Sequence, residues 1–261
     1  MGSRILVGVV DSGWDRGIVD ARVRAGVGLV DPEDELAFKL TADDQDRIGH
    51  GTACADLVLR IAPACEIVPI RVFGNRRETS VSIIKAGLEY ATERRLNVVN
   101  LSLGTLRGDA LRPLYEACGR ARDAGAIVVA AQHNVHDWSY PAVFDNVIGV
   151  RGAHLTGSFD FQFHNAEAIE CSAQCAHAGA LWLGGGRRDV RGSSFAAPVV
   201  SGTVALLLER HASAGLDDIR LMLADVAGRR TRFEALLSRQ PAQIGAVQPC
   251  RLKVVKFAGS K

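Results

Sequence analysis

Short apolar segments alternate with helical patterns over the first 150 residues, and this alternation constrains the fold more than any other feature of the sequence. The apolar segments predict β-strands over residues 5–10, 66–72, 97–101, 126–131 and 147–150. Between them, apolar residues recur at the spacing of one helix face, in the sets Val81, Ile84, Leu88, Ala91 and Leu111, Leu114, Ala117, Ala121. Because strands joined by crossover helices pair in parallel, we expect a three-layer α/β/α protein with a mostly parallel central sheet.

The second half of the chain begins with a weaker pattern and then becomes helical. Residues 194–211 predict a long, nearly all-apolar helix buried in the interior, with Pro198 close enough to its start that the missing N–H is tolerated. Further helices are predicted over 217–226 and 232–239, and a late strand over 251–257. No Pro-, Ser- or Gly-rich linker divides the 261 residues, so we expect one domain over 1–261.

The composition bears on which partners the protein binds and on which cellular compartment it occupies. The net charge of +2 and the scattered arginine pairs, without interleaved aromatic residues, argue against nucleic acid as a partner. No apolar run is long enough to span a membrane. The six cysteines and an amino terminus without a signal peptide predict reduced thiols and a cytoplasmic protein, or a secreted one if a signal and pro-segment have been removed.

Three short stretches supply the groups of nucleophilic acyl transfer, which needs a hydroxyl, an imidazole and a carboxylate that orients the imidazole. They carry Asp11, His50 and Ser194, in that order. Taken singly, each has a structural explanation, as a turn residue, a buried histidine and a helix cap. Together they lie at predicted strand ends and helix starts, where an open α/β sheet places its ligands. We therefore predict one catalytic site.

The surroundings of these residues, D-S-G, G-H-G-T and G-S-S-F-A-A-P, resemble the subtilisin-like serine proteases, or subtilases, whose triad has this chain order. The resemblance covers residues 4–226 and implies a subtilisin-like fold and a serine endopeptidase that forms an acyl-enzyme on Ser194. It implies the oxyanion role for Asn134. It also implies that substrate binds to Ser102, Leu103, Gly104, Gln132 and His133.

The resemblance further implies a peptide or protein substrate and no cofactor, and small family members suggest a processing protease for a specific peptide precursor. The same triad in a site without water would instead ligate or cyclise peptides. A catalytically inactive peptide-binding module remains the alternative from another class. A nucleotide-binding protein is set aside, because no phosphate-cradling glycine pattern follows the first strand.

The sequence departs from the family pattern near the base and near the oxyanion asparagine. Cys54 lies four residues after His50, where we expect a buried thiol that could confer sensitivity to mercurials. His133 stands where the family has glycine, and in the short loop that follows, Asp137 would favour a basic substrate side chain. No acidic loop interrupts the helix after His50, so no calcium site is expected there. The set Cys171, Cys175 and His177 is a weak zinc candidate, so we predict no metal.

Overall fold

The computed structural model of the protein describes residues 4–31, 34 and 37–237. The strands are β1 (Leu6–Asp11), β2 (Val27–Val30), β3 (Phe38–Thr41), β4 (Glu66–Arg71), β5 (Val98–Leu101), β6 (Ile127–Ala131), β7 (Ile148–Ala153), β8 (Phe161–Phe163), β9 (Cys171–Gln174), β10 (Ala176–Leu181) and β11 (Arg187–Arg191). The helices are α1 (His50–Ile61), α2 (Val81–Glu93), α3 (Leu111–Asp123), α4 (Ser193–Arg210) and α5 (Leu216–Leu237).

Nine strands of the described residues form the main sheet, in the order β3-β2-β4-β1-β5-β6-β7-β9-β8. The neighbours from β2 to β9 all pair in parallel, while the two edge strands β3 and β8 are antiparallel. The strands β10 and β11 form a separate antiparallel pair. The predicted parallel sheet is thus confirmed, and its carboxyl edge collects the ends of β1, β5 and β6.

Alternate side chains of each central strand enter two different cores, because successive residues of a strand point to opposite faces. In β6, Ile127 and Val129 pack on the side of α1, α4 and α5, whereas Val128 and Ala130 pack on the side of α2 and α3. The central strands are buried on both faces, which is why they read as continuous apolar runs. Helices therefore cover both faces, as the three-layer prediction required.

The predicted central strands and crossover helices are present, with ends that differ by at most three residues. The sequence analysis missed β2, β3 and β8 to β11, because short, polar or glycine-containing strands give little periodic signal. The two helices predicted over 217–226 and 232–239 are wrong as separate elements, since α5 continues through Leu237. The late strand predicted over 251–257 lies outside the described residues. None of the described helices is long and apolar enough to cross a membrane.

Candidate active site

The carboxyl edge of the sheet brings the three predicted catalytic residues together. Asp11 is the last residue of β1, His50 is the first residue of α1 and Ser194 is the second residue of α4. Strand β1 lies at the centre of the sheet, and α1 and α4 pack together on one face of it. Residues from three distant parts of the chain therefore meet where a strand ends and two helices begin.

The three side chains form one hydrogen-bonded series. The Nδ1 of His50 lies 2.7 Å from Oδ1 and 2.9 Å from Oδ2 of Asp11. The Nε2 of His50 lies 3.0 Å from Oγ of Ser194. Because a carboxylate only accepts, Nδ1 carries the proton, which leaves Nε2 free to accept from the serine hydroxyl. Asp11 is fully buried and His50 is 2% exposed, so the series lies in a desolvated setting.

The amino terminus of α1 fits closely against the end of β1. A Cβ on Gly51 would lie 2.4 Å from the carbonyl oxygen of Gly13, so only glycine permits this approach. The buried carboxylate of Asp46 accepts from the backbone N–H groups of Gly49 and Thr52, which have no partner inside the helix. These contacts fix the position and direction from which the His50 side chain reaches Asp11.

The start of α4 is held by a side-chain network beneath the serine. Pro198 is the sixth residue of α4 rather than a first-turn residue, so the predicted reason for its tolerance is wrong. Its missing N–H leaves the carbonyl of Ser194 without its helical donor. The hydroxyl of Ser102 donates to that carbonyl at 2.7 Å and thereby replaces the lost hydrogen bond.

This network continues into the interior through two residues that the sequence analysis did not select. The amide of Asn100 donates to the Ser102 hydroxyl, and its carbonyl oxygen accepts from the hydroxyl of Ser201, both at 2.9 Å. All of these side chains are buried. Buried polar groups that are fully paired specify one geometry, so the network fixes α4 relative to β5. A polar Asn inside an otherwise apolar strand was the available signal.

Asn134 lies beside the serine, in the turn after β6. Its Oδ1 accepts from the backbone N–H and the hydroxyl of Ser193, each at 2.9 Å. A backbone N–H can only donate, so this contact assigns the oxygen and turns the amide nitrogen the other way. Gly192 has a φ of 138°, and a Cβ there would lie 3.3 Å from Asn134 Oδ1 and 3.6 Å from Ser194 Oγ. The positive φ, more than the space beside the serine, therefore favours glycine at this position.

A cleft of about 930 Å³ runs past Ser194. Its lining includes every residue predicted to bind substrate, namely Ser102, Leu103, Gly104, Gln132 and His133. It also includes hydroxyl-bearing residues of the segment before α2, among them Thr79 and Ser80. Asp137 does not line this cleft but a neighbouring cavity that shares four lining residues with it. Its expected preference for a basic substrate side chain stays a prediction.

Cys54 lies one helical turn after His50, in contact with the hydrogen-bonded series. Its Sγ lies 3.8 Å from both Asp11 Oδ2 and His50 Nδ1, and 3.4 Å from the Ser102 hydroxyl. Burial, and then the nearby Asp11 carboxylate, raise the pKa of the Cys54 thiol well above its ordinary value. The cysteine is therefore a protonated, buried thiol, which agrees with the expected position.

The weak zinc candidate does not assemble as a ligand set. The Nε2 of His177 lies 3.0 Å from the carbonyl oxygen of Gln174 and 3.1 Å from that of Phe195, so it carries a proton and donates. Cys171 and Cys175 are buried free thiols. Among the described residues, only Asp11, His50 and Cys54 gather three metal-binding atom types within 4.8 Å, and hydrogen bonding already engages the first two.

Comparison with known proteins agrees with this geometry. The model of the subtilase family, Peptidase_S8, matches residues 2–240. Subtilisin Savinase from Lederbergia lenta is 30% identical over 237 residues, covering 87% of this chain and 84% of the relative. The structure of the nisin leader peptidase NisP from Lactococcus lactis has a TM-score of 0.69 at 19% identity, over 84% of this chain and 81% of that one. The epidermin leader peptide processing serine protease EpiP from Staphylococcus aureus has a TM-score of 0.66 at 18% identity, over 81% of this chain and 66% of that one.

Proposed function

Because this chain belongs to the subtilase family of serine endopeptidases, we propose that Ser194 is its nucleophile, His50 its general base and Asp11 the carboxylate that orients His50. The Ser194 hydroxyl attacks the scissile carbonyl carbon as its proton passes to Nε2 of His50. His50 then delivers that proton to the leaving amine, and water later hydrolyses the acyl-enzyme by the same route. The observation that carries this assignment is the buried hydrogen-bonded series from Asp11 through His50 to Ser194.

Two donors would bind the oxyanion of the tetrahedral intermediate. One is the side-chain amide nitrogen of Asn134, because its oxygen is already engaged by Ser193. The other is the backbone N–H of Ser194, which lies in the first turn of α4, where N–H groups lack helical acceptors. Donors held in place before the charge develops stabilise the transition state without reorganisation.

We further propose that the natural substrate is a specific peptide precursor. The fold is shared with NisP and EpiP, whose names describe leader peptide processing, and this likeness supports the choice. The substrate backbone would pair with the segment Ser102, Leu103 and Gly104, and Gln132 and His133 would line the position next to the cleaved bond. One domain and a cytoplasmic location remain predictions.

A fluorophosphonate probe tests the nucleophile directly, since it modifies only an activated serine. We expect stoichiometric labelling at Ser194, identified by peptide mass, and none in Ser194→Ala. Ser158→Ala, at an exposed serine, serves as the matched control and should label normally. A folded wild-type protein that takes no label would overturn the enzymatic assignment and favour a peptide-binding module.

Cleavage of a random peptide library tests the substrate class. A processing enzyme should cut a narrow set of sequences, whereas cleavage of most peptides would contradict the proposed role. The product masses separate hydrolysis from ligation, because a ligated or cyclised product lacks the added water.

A further inference from the structure

A second cavity, of about 470 Å³, adjoins the cleft on the other side of Asn134. The two cavities share Gln132, His133, Asn134 and Ser193, whereas Ser194 lines only the cleft. We call the second cavity the basic pocket. Its charged and imidazole lining comes from the loop after β6, from β7 and its following residue, and from the end of β11: His133, His136, Asp137, Arg151, His154 and Arg191.

Arg191 is the uncompensated cation of this pocket. It ends β11 and precedes Ser194 by three positions. Its Nη2 lies 2.6 Å from Nε2 of His154, and because a guanidinium only donates, His154 accepts through an unprotonated nitrogen. The contact orients Arg191 without neutralising it. Among the described residues, no carboxylate oxygen is within ion-pair distance of Arg191.

The other two charged residues of the pocket do not add to its positive charge, because Arg151 is paired with a carboxylate and Asp137 is negative. Arg151 is neutralised, since its Nη1 lies 2.7 Å from the carboxylate of Glu167 and its Nε donates to the Ser172 hydroxyl. Asp137 supplies the one carboxylate among the residues that line the pocket. The rings of His133 and His136 contact each other at a tilt of 47°, with centroids 5.0 Å apart. Arg191 therefore carries the unbalanced positive charge of the pocket, and it directly precedes the lining residues Gly192 and Ser193 in the chain.

The direction in which the substrate chain runs through the cleft places the charge of Arg191 beside the residues after the cleaved bond. If the residues before the cleaved bond lie along Ser102 to Gly104, the chain must pass Ser194 and Asn134 and continue beyond them. The basic pocket opens there, beside Gly192 and Ser193. Given the proposed function, on which this inference rests, we propose that Arg191 binds the side-chain carboxylate of an acidic residue at the first or second position after the cleaved bond.

The chemistry of the guanidinium suits this ligand. Its planar fork matches a carboxylate with two parallel hydrogen bonds, which a lysine could not provide. The pocket is open to solvent, so the pair is partly screened and its contribution is modest. We expect a preference of about fivefold in kcat/KM for an acidic residue over its amide, the size of a well-formed exposed ion pair. High salt should reduce that preference.

Matched quenched peptides test the inference with the intact protein. The peptides differ only in having Glu, Gln or Lys at the first or the second position after the cleaved bond, and each is made with a free and an amidated carboxyl terminus. The readout is the ratio of kcat/KM for Glu over Gln, which does not depend on the overall activity of a variant. A preference that survives amidation comes from the side chain, as proposed. A preference found only with the free acid overturns the side-chain assignment.

Variants of the pocket complete the test. Arg191→Gln should bring the Glu-to-Gln ratio to about one, Arg191→Glu should favour the Lys peptide, and Asp137→Asn should raise the Glu-to-Gln ratio. Arg187→Gln is the matched control, because Arg187 lies on the same strand but outside the pocket and should leave the ratio unchanged. A ratio near one in the wild type, or one insensitive to Arg191, overturns the inference while leaving the proposed function intact. Failure to cleave any peptide would overturn both.

Discussion

The catalytic centre and the basic pocket lie side by side but are built in opposite ways. Asp11, His50 and Ser194 are buried at the ends of regular elements. Arg191 and His154 are exposed, and they meet from the end of β11 and the residue after β7, which are far apart in the sequence. In the centre, hydrogen-bonding partners hold each side chain in one position. In the pocket, the guanidinium of Arg191 has no counterion among the described residues.

The difference separates the requirements of chemistry from those of selectivity. Proton transfer needs fixed distances in a poorly solvated site, where electrostatic effects are strong. Recognition of a side chain tolerates exposure, because it needs only a modest difference in affinity between substrates. Substitutions in the centre should therefore lower kcat by orders of magnitude. Substitutions in the pocket should change only the ratio of kcat/KM between matched peptides, and by small factors.

The largest effect is expected when the base is removed. In a subtilisin, loss of the equivalent histidine lowers kcat by a factor on the order of 10⁶, and we expect His50→Ala to have an effect of that order here. Circular dichroism should show an unchanged fold. The control is Arg112→Gln, at an exposed i,i+4 pair on α3, which should retain full activity. A His50→Ala protein that keeps a tenth of the wild-type rate would remove the basis of the comparison.

Loss of the oxyanion donor should come next. Asn134→Ala is expected to lower kcat by about 10²–10³, a range established on a subtilisin, with little change in KM, because the amide acts on charge that develops only in the transition state. Asn165→Ala, at an exposed asparagine, is the control. A change confined to KM would show that Asn134 contributes to substrate binding and not to stabilisation of the transition state.

The buried thiol gives a smaller effect on stability. Because burial raises the Cys54 pKa, the thiol stays protonated at pH 8, and iodoacetamide should alkylate it only after unfolding in guanidinium. Cys54→Ala should lower the free energy of unfolding by about 1 kcal/mol through the space it leaves. Mass spectrometry of the labelled peptide and denaturant titration measure both quantities. Rapid alkylation of the folded protein would show that this side of the centre is open.

The smallest effect concerns pH and His177. Burial lowers the pKa of this imidazole, although its hydrogen bonds to the carbonyls of Gln174 and Phe195 oppose the shift. The unfolded chain therefore takes up a proton more readily, so this contribution to stability is present above about pH 6.5 and is lost as the pH falls. His177→Gln should flatten the decline in unfolding free energy between pH 7.5 and 5.5, measured by urea titration. His211→Gln, at an exposed histidine, should not.

The sequence predicted the centre better than its surroundings, for a physical reason. Asp11, His50 and Ser194 are recognisable because each has small neighbours at the end of a periodic element, and periodicity also predicts the elements. The network from Ser102 to Ser201 cannot be predicted from small neighbours or from periodicity, because it depends on how α4 lies over β5. The pairing of Arg191 with His154 depends likewise on how the separate β10–β11 pair lies against the end of β7, which no periodic pattern predicts.

The burial of α4 has a consequence for how this protein would lose activity. Its first thirteen residues are nearly all buried, and they carry the nucleophile on top of the main core. A segment so placed cannot detach by itself, because its opening exposes the same surface as unfolding of the whole sheet. Heat inactivation and hydrogen exchange of the most buried backbone amides should therefore occur at the same rate. The residual activity after heating then measures the fraction of molecules that are still folded.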